Sequence, residues 1–277
     1  MSNDHAEPPL SFESAGLAPG RGRLLGRRIV VVGAGTRHID DPDAPVGNGR
    51  AIAILAAREG ASVACVDIDH DAAEHTARLV HAEGSAAVVI QADVSNADDC
   101  ARLVDESATA LGGIDGLVAN VGIGAGAGLQ GTTPEQWDKV FDVNIRSHFL
   151  ISRAALPLMS NDGAIVLISS IAGLKPGSRL PAYDASKAAL FGLCRHLALE
   201  GARHGVRANV VVPGLIDTPL GRWATSGRPS RGNTRVPLGR QGTAWDIAYA
   251  TTFLLSGESS YITAQSIVVD GGLTQIG

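Results

Sequence analysis

Seven short apolar runs alternate with amphipathic segments along the chain. The runs are rich in valine and isoleucine and barely alternate with polar residues, which is typical of strands buried on both faces of a parallel sheet. They cover residues 28–32, 62–66, 86–90, 114–119, 164–168, 206–212 and 266–269. Helical patterns lie between them, at 49–59, 71–83, 97–111, 134–159, 181–204 and 243–255. This alternation predicts an α/β fold with one doubly wound parallel sheet of seven strands and helices on both faces.

No linker or shift in composition divides the chain, so we expect a single domain over residues 27–277. Residues 1–26 carry Pro, Gly, Ser and acidic side chains without an apolar signal segment, and we expect an N-terminal extension that is either flexible or draped over the surface. The sequence contains no apolar stretch long enough to span a membrane, and three isolated cysteines without ligand spacing indicate reduced thiols. We therefore expect a cytoplasmic protein without a membrane partner or a metal site.

Composition argues against one class of partner. The net charge is −5, whereas a nucleic-acid-binding domain normally carries a basic face. We therefore expect no nucleic-acid partner. In a doubly wound sheet, small ligands bind beyond the carboxyl ends of the strands, and the chemically distinctive residues of this chain follow its apolar runs.

A glycine-rich turn follows the first predicted strand. Gly33 and Gly35 come directly after it, and Gly47-Asn48-Gly49 open the next helix. Glycines at a strand-to-helix turn let backbone N–H groups approach a pyrophosphate, although a plain connecting loop remains an alternative. The spacing departs from a simple GxGxxG pattern, because His38 stands where a glycine would be needed.

Acidic residues follow the second and third predicted strands. Asp67 can accept hydrogen bonds from both hydroxyls of an adenosine ribose and would repel a 2′-phosphate. Neither Ile68 nor Asp69 is basic, so the sequence favours NAD over NADP. Asp93-Val94 can hold an adenine ring, although Asp93 can equally cap the following helix. A solvated aspartate at the end of a strand is the alternative for Asp67.

Tyr183 and Lys187 are four residues apart near the start of a predicted helix, so they share one helical face. A phenol titrates near pH 10, and a neighbouring ammonium would lower that pKa towards neutrality. Ser170 ends the fifth strand, where its hydroxyl can hold a carbonyl oxygen. Asn144 interrupts a helical segment, which indicates either a polar kink that holds a water molecule or an ordinary buried asparagine.

Taken together, the motifs resemble those of the short-chain dehydrogenase/reductase family. The resemblance extends from about residue 27 to 272. It rests on Gly33, Gly47, Gly49, Asp67, Asp93-Val94, Ala119-Asn120-Val121-Gly122, Asn144, Ser170, Tyr183, Lys187, Pro213-Gly214-Leu215-Ile216-Asp217-Thr218, Tyr261-Ile262-Thr263 and Val269-Asp270-Gly271-Gly272.

The resemblance implies a Rossmann fold, a nicotinamide cofactor and interconversion of a secondary alcohol and a ketone. It also implies a catalytic tetrad of Asn144, Ser170, Tyr183 and Lys187, and a homotetramer built on the helices at 134–159 and 181–204. Cofactor contacts are then expected at Gly33, Arg37, Gly47, Asn48, Asp67, Ile68, Asp93, Val94, Asn120, Gly122, Tyr183, Lys187, Pro213, Gly214, Ile216 and Thr218. The alternatives are an NADP-dependent 3-oxoacyl-type ketoreductase and a dinucleotide-sensing regulator without turnover.

Two departures from the family pattern stand out. Residues 36–46 lengthen the glycine-rich loop, and we expect this insertion to bulge outward on the adenosine side, leaving Gly33, Gly47 and Gly49 in place. Arg37 can then reach a phosphate. Ala119 replaces the first asparagine of the family's Asn-Asn-Ala-Gly motif, which we expect to affect stability slightly and chemistry not at all.

Residues 219–236 are polar and glycine-rich, which indicates a mobile lid that selects the substrate. Trp223 can close over a cyclic or apolar substrate, or pack at a subunit contact. Four arginines in this segment can meet an anionic substrate or simply be solvated: Arg222, Arg228, Arg231 and Arg235.

Overall fold

A computed structural model describes residues 8–226 and 229–277. The strands are β1 (Arg28–Val32), β2 (Ser62–Asp67), β3 (Ala87–Gln91), β4 (Ile114–Ala119), β5 (Met159–Ile168), β6 (Arg207–Pro213), β7 (Ile216–Asp217), β8 (Gly242–Thr243) and β9 (Ser266–Val269). The α-helices are α1 (Asn48–Arg58), α2 (His70–Ala82), α3 (Ala97–Leu111), α4 (Pro134–Phe141), α5 (Ser147–Ala155), α6 (Pro181–Gly201), α7 (Pro219–Ser226) and α8 (Ala244–Leu255).

Seven of the strands form one parallel sheet in the order β3-β2-β1-β4-β5-β6-β9. Successive residues of β1 point to opposite faces: Ile29 and Val31 pack towards α1 and α8, whereas Val30 and Val32 pack towards α3 and α6. Because both faces are covered, both must be apolar, which explains the nearly continuous hydrophobic runs. The predicted Rossmann fold is confirmed, and strand order reverses between β1 and β4, where ligands bind in such sheets.

The predicted helix at 134–159 is interrupted. A π-helical turn at Asp142–Arg146 separates α4 from α5, and α5 ends at Ala155. Pro157 follows in a short 3-10 turn, because proline cannot continue an α-helix without losing a backbone hydrogen bond. Residues from Met159 onward already belong to β5, so the strand is longer than its apolar run predicted.

The described part of the N-terminal segment, residues 8–26, packs on the domain. Leu24 is fully buried, and the Ser14 hydroxyl donates to Asp246 at 2.6 Å. Arg58 donates to the carbonyl oxygen of Gly16, whose backbone lies against the ring of Trp245. The segment therefore covers α1 and α8.

The three thiols are free and buried, as the isolated cysteines predicted. Burial raises the pKa of Cys65 and of Cys194 to about 12, and that of Cys100 to about 11, so all three stay protonated at neutral pH. Among the described residues, no helix is long and apolar enough to cross a membrane.

Asp115 joins β1, β4 and β5 at the amino end of the sheet. Its carboxylate accepts hydrogen bonds from the Arg28 side chain and backbone and from the Ser160 hydroxyl. Burial alone would raise the pKa of Asp115, but these hydrogen bonds outweigh it and lower the pKa to about 2. The ionised carboxylate therefore stabilises the folded state above its unfolded pKa near 4, and this contribution is lost as the pH falls towards 2.

We expect Asp115→Asn to lower the free energy of unfolding by about 2 kcal/mol at pH 7, because the amide cannot replace a charged acceptor. Urea denaturation followed by circular dichroism measures this difference, which should narrow between pH 4 and pH 3. Asp162→Asn is the matched control: it changes an exposed pair with Arg27 and should shift stability by only a few tenths of a kcal/mol. Equal effects of the two substitutions would contradict the assignment.

Candidate active site

The end of β1 and the start of α1 are in close backbone contact at two glycines, Gly33 and Gly49. Gly33 has a φ of +81°, and a Cβ atom placed on Gly49 would lie 1.8 Å from the Gly33 carbonyl oxygen. Asn120, just after β4, donates from Nδ2 to that same oxygen at 2.9 Å. Only glycine at position 49 permits this approach, which places the first turn of α1 at the carboxyl edge of the sheet.

The first turn of α1 fits an anionic group. Gly47 precedes the helix without a side-chain cap, so the backbone N–H groups of the first turn have no side chain to satisfy them from that position. The Oδ1 atom of Asn48 is buried and has no hydrogen-bond partner within the described residues. The uncapped backbone N–H groups at this helix start are donors of the kind that a pyrophosphate accepts from.

Asp67 lies at the end of β2 beside this turn. Its carboxylate accepts from the backbone N–H of Gly35 at 2.8 Å and of Asp69 at 3.1 Å. Ile68, the next residue, exposes 61% of its surface, although it is a large apolar side chain. This arrangement suits a nucleoside, because the carboxylate can accept from the ribose hydroxyls and the exposed apolar side chain can pack against the base.

The residues after β3 differ in part from expectation. Asn96, not Asp93, caps α3. Asp93 accepts hydrogen bonds from the Ser95 hydroxyl and backbone N–H, and these lower its pKa. Val94 was predicted to contact adenine, but its side chain is 7% exposed and packs in the core with residues of α3. Its apolar character is explained by that packing.

The insertion at 36–46 does not lie on the adenosine side, which corrects our expectation. Its base is closed by Thr36, whose hydroxyl accepts from the Gly47 N–H at 3.0 Å. Beyond that base, Asp41 forms an ion pair with Arg222 on α7, and Arg222 also binds Asp217. Opposite charges draw the insertion towards the segment after β6, on the other half of the sheet from Asp67.

The side chain of Arg37, like the rest of the insertion, lies towards α7. Its guanidinium lies 5.8 Å from the centre of the Trp223 ring, in a cation–π contact, instead of pointing towards the ribose side. Trp223, predicted to lie over a substrate or at a subunit contact, here meets a residue of its own chain. Gly33 and Gly49 keep the close packing described above, as predicted, despite the insertion.

Helix α6 brings Tyr183 and Lys187 together, as their spacing predicted. Pro181 occupies its first turn, where the missing N–H is harmless. Lys187 is 3% exposed; its Nζ donates to the Ile168 carbonyl at 2.9 Å and lies 5.8 Å from the centre of the Tyr183 ring. Ser170 follows β5 and caps a 3-10 turn, and its hydroxyl lowers the pKa of the Tyr183 phenol.

The net shift of the Tyr183 pKa is upward, opposite to the one that we expected from its spacing to Lys187. Burial raises the pKa of Tyr183, and Asp184 raises it further, whereas the Ser170 hydroxyl and the charge of Arg231 lower it. Burial also lowers the pKa of Lys187 to about 8. The ammonium lies beside the ring and is held by a carbonyl of β5, so it does not offset the desolvation of the phenol. Tyr183 is therefore protonated at neutral pH and arranged to donate a proton.

Asn144 lies within the π-helical turn and is fully buried. Its side-chain amide forms two hydrogen bonds with the backbone of Ile123: it accepts from the N–H at 2.8 Å and donates to the carbonyl at 2.9 Å. It also donates to the Ser186 hydroxyl, which in turn donates to the Tyr183 carbonyl. The interrupted helix confirms the kink, and the side chain fixes the loop after β4 to α6.

The segment after β6 occupies the same edge of the sheet. The backbone N–H of Gly214 donates to the Val269 carbonyl, and the side chain of Ile216 is buried. The Thr218 hydroxyl accepts from the Gly221 N–H at the start of α7. Pro213 ends β6.

The sequence did not predict the roles of Ser186 and Asp41. A small polar residue three positions after Tyr183 was an available signal for the first, whereas the Asp41–Arg222 pair spans too much chain to be found by spacing. Arg228 lies outside the described residues.

Potential metal ligands also come together shortly after β2. His70, Asp71 and Glu74 lie within 4.8 Å of one another at the start of α2, a grouping that the sequence did not single out. All three are exposed on the first turns of one helix, which brings such side chains together without any ion.

Comparison with known proteins supports one family. The model of the family described as "Enoyl-(Acyl carrier protein) reductase" matches residues 45–274. The chain is 35% identical over 262 residues to 2-(S)-hydroxypropyl-CoM dehydrogenase 3 of Xanthobacter autotrophicus, covering 92% of this chain and 99% of that protein. A short-chain dehydrogenase/reductase structure from Burkholderia xenovorans superposes with a TM-score of 0.83 at 38% identity, over 91% of this chain and 98% of the other.

A second solved structure contains a bound cofactor. It is a short-chain dehydrogenase from Burkholderia cenocepacia in complex with NADP, with a TM-score of 0.80 at 31% identity, and the match covers 91% of this chain and 99% of that one. The chain therefore belongs to the short-chain dehydrogenase/reductase family. It is an NAD(P)-dependent oxidoreductase that acts on CH–OH groups.

Gly122 offers a test of this geometry, because a Cβ atom at this position would lie 2.9 Å from Lys187 Nζ. We expect Gly122→Ala to displace the buried ammonium and lower kcat at least about 10-fold, since small displacements of positioned groups reduce rates strongly. The free energy of unfolding should change by less than about 1 kcal/mol. Both are measurable by steady-state kinetics and urea denaturation.

Gly192→Ala is the matched control, because it lies on α6 with open space around its Cβ position. It should leave kcat unchanged and stabilise the helix slightly. A Gly122→Ala protein with normal kcat would show that Lys187 does not need its observed position.

Proposed function

We propose that this protein interconverts a secondary alcohol and a ketone with NAD(H), using Asn144, Ser170, Tyr183 and Lys187. The observation that carries the proposal is the meeting of Tyr183 and Lys187 at the carboxyl edge of the sheet, where Lys187 Nζ lies 5.8 Å from the centre of the Tyr183 ring and the Ser170 hydroxyl lowers the pKa of the phenol. Lys187 lies buried one helical turn beyond Tyr183. Two converging hydroxyl groups can hold one substrate oxygen, and the phenol can exchange a proton with it.

In the reductive direction, Ser170 donates a hydrogen bond to the ketone oxygen and Tyr183 transfers its phenolic proton to the same oxygen. A nicotinamide held beside Ile216 and Thr218 would supply the hydride. Lys187 lies close enough to stabilise the phenolate that Tyr183 becomes, because a nearby positive charge favours the ionised form. Asn144 holds the loop after β4 against α6, which keeps the space around Lys187 constant. Oxidation of an alcohol reverses these proton movements.

The preference for NAD rests on Asp67 and on the direction of Arg37. A carboxylate at the end of β2 accepts from ribose hydroxyls and repels a 2′-phosphate. Arg37, the basic residue that would favour the phosphate, is engaged with Trp223 on the other side. The first turn of α1, with Gly47, Asn48 and Gly49, would bind the pyrophosphate. Ile216 and Thr218 would hold the carboxamide.

An NADP-dependent ketoreductase is the second candidate. One observation favours it: the related chain from Burkholderia cenocepacia is described in complex with NADP. Relatives at similar identity include the 3-oxoacyl-[acyl-carrier-protein] reductase FabG of Thermotoga maritima. A regulator without turnover is disfavoured, because it would not need a proton-donating phenol beside a buried lysine.

A homotetramer in the cytoplasm remains our prediction for the assembled protein. The surface of α4 and α5 supports association, because Trp137 stacks on Phe141 at 4.8 Å and remains 37% exposed, and Phe149 is 44% exposed. Large apolar side chains that remain exposed in one chain are often covered by another.

We expect Tyr183→Phe to reduce turnover at least about 10³-fold while leaving the Kd for the dinucleotide within a few-fold, because only the proton donor is removed. Nicotinamide absorbance across a panel of secondary alcohols and ketones measures turnover, and fluorescence titration measures binding. Tyr261→Phe is the control, since that side chain is fully exposed. Activity of Tyr183→Phe close to that of the wild type would refute the mechanism.

We expect Asp67→Asn to lower the ratio of kcat/KM with NAD to kcat/KM with NADP about 10-fold, since it removes the charge that repels a 2′-phosphate. Cofactor titrations at fixed substrate measure the ratio. Asp71→Asn, an exposed charge in the first turn of α2, should leave it unchanged. A wild-type preference for NADP would overturn the assignment in favour of the second candidate.

A further inference from the structure

Helix α7 is attached to a distant part of the chain through two contacts with the insertion at 36–46. Arg222 forms an ion pair with Asp41, and the ring of Trp223 lies 5.8 Å from the guanidinium of Arg37. Within the part of the chain that the structure describes, the other polar contacts of α7 side chains stay within α7 and the short segments that flank it. These two contacts, together called the α7 tether, therefore set the polar attachment of the helix to the domain.

The length of the insertion matches the distance that it has to cover. The strands β4 and β5 lie between β1, which precedes the insertion, and β6, which precedes α7. Neighbouring strands are about 4.8 Å apart, so three spacings separate β1 from β6 by about 14 Å. Asp41 is the middle residue of the insertion, and five extended residues on either side of it can cover about 17 Å. The midpoint of the insertion can therefore reach α7 only when both of its arms are nearly extended.

The α7 tether joins two separate parts of the proposed dinucleotide site. The insertion starts and ends at the turn that would bind the pyrophosphate, where the Gly47 N–H donates to the Thr36 hydroxyl. Helix α7 begins directly after Thr218, which would hold the carboxamide. Asp67, which would bind the adenosine ribose, lies at the end of β2, on the far side of β1 from α7. The tether thus spans the nicotinamide half of the site and leaves the adenosine half outside it.

Asp41 is oriented to pair with Arg222. Its Oδ1 atom accepts from the Asp43 N–H at 2.9 Å, which fixes the carboxylate on its own loop. Asp217 binds the same guanidinium from the α7 side, so Arg222 is held in place for the insertion. The adjacent carboxylate, Asp40, is exposed and forms no ion pair with any described residue. Of these two neighbouring charges, one therefore connects the insertion to α7 and the other does not.

We propose that Asp41 is a positioning residue that acts through Arg222 to hold α7 against the nicotinamide half of a bound dinucleotide. Release of the dinucleotide then requires the insertion and α7 to separate. Any preference of α7 for the attached position slows dissociation by the same factor. The inference rests on the proposed function, because it takes the carboxamide to lie at Thr218.

Stopped-flow fluorescence of the reduced dinucleotide tests this inference without turnover. The probe is NADH or NADPH, whichever the wild type binds more tightly, displaced by an excess of its oxidised form. Asp41→Asn should raise the dissociation rate about 5-fold and change the association rate less than about 2-fold, since pairs of half-exposed charges are weak. Asp41→Lys places a like charge beside Arg222 and should raise the dissociation rate about 20-fold. Asp41→Glu should keep the wild-type rate within about 2-fold, because the charge is retained.

Asp40→Asn is the matched control: it removes the neighbouring exposed charge and should leave both rates unchanged. A dissociation rate of Asp41→Lys equal to that of the wild type would overturn the inference, and so would an equal rise in Asp40→Asn. Binding of neither NADH nor NADPH by the wild type would overturn the inference together with the proposed cofactor site.

Calorimetry with ADP separates the tether from a general effect on the fold. ADP has the adenosine and the pyrophosphate but no nicotinamide, so its Kd should stay within about 2-fold in Asp41→Asn and Asp41→Lys. Unchanged ADP binding also shows that both variants are folded. An equal loss of affinity for ADP and for the dinucleotide would overturn the inference and show that Asp41 supports the phosphate-binding turn. Full activity of Tyr183→Phe would instead refute the proposed chemistry, which these binding measurements do not involve.

Discussion

The burial of one ammonium group organises this active site. Lys187 is almost completely removed from solvent, and Ile168 at the end of β5 accepts its hydrogen bond. A buried charge is tolerated only where acceptors replace water, so the lysine can occupy few positions. The carbonyl of β5 and the space left by Gly122 after β4 define that position. The neighbouring strands thus fix the cation, and α6 carries the phenol to it.

Much of the architecture could be predicted from the sequence because the relevant interactions are local. Strands buried on both faces are largely apolar, so Ile29–Val32 of β1 and Ala164–Ile168 of β5 were visible as uninterrupted runs. The i,i+4 spacing of Tyr183 and Lys187 placed both on one face of α6 before any coordinates were known. Asn144 signalled an irregularity because asparagine fits poorly within an α-helix, and the π-helical turn lies there.

Interactions between distant parts of the chain could not be predicted in this way. The insertion at 36–46 was expected on the adenosine side, but the attraction between Asp41 and Arg222 joins residues from separate thirds of the sequence. The pKa of Tyr183 was also misjudged, since spacing alone reveals neither desolvation nor the carbonyl that holds Lys187. The N-terminal segment has no apolar periodicity, yet Leu24 and Ser14 are buried through contacts with α1 and α8.

The guanidinium of Arg222 binds both Asp41 and Asp217, and these ion pairs make the attachment of α7 sensitive to ionic strength. The guanidinium joins the insertion at 36–46 to α7 and to Asp217, and Arg222, Asp217 and Asp41 are all more than one-third accessible to solvent. Ions in solution weaken attractions between accessible charges. A higher ionic strength therefore weakens the ion pairs of Arg222 and loosens the attachment of α7 to the insertion at 36–46. The buried surroundings of Lys187 exclude dissolved ions and are not affected.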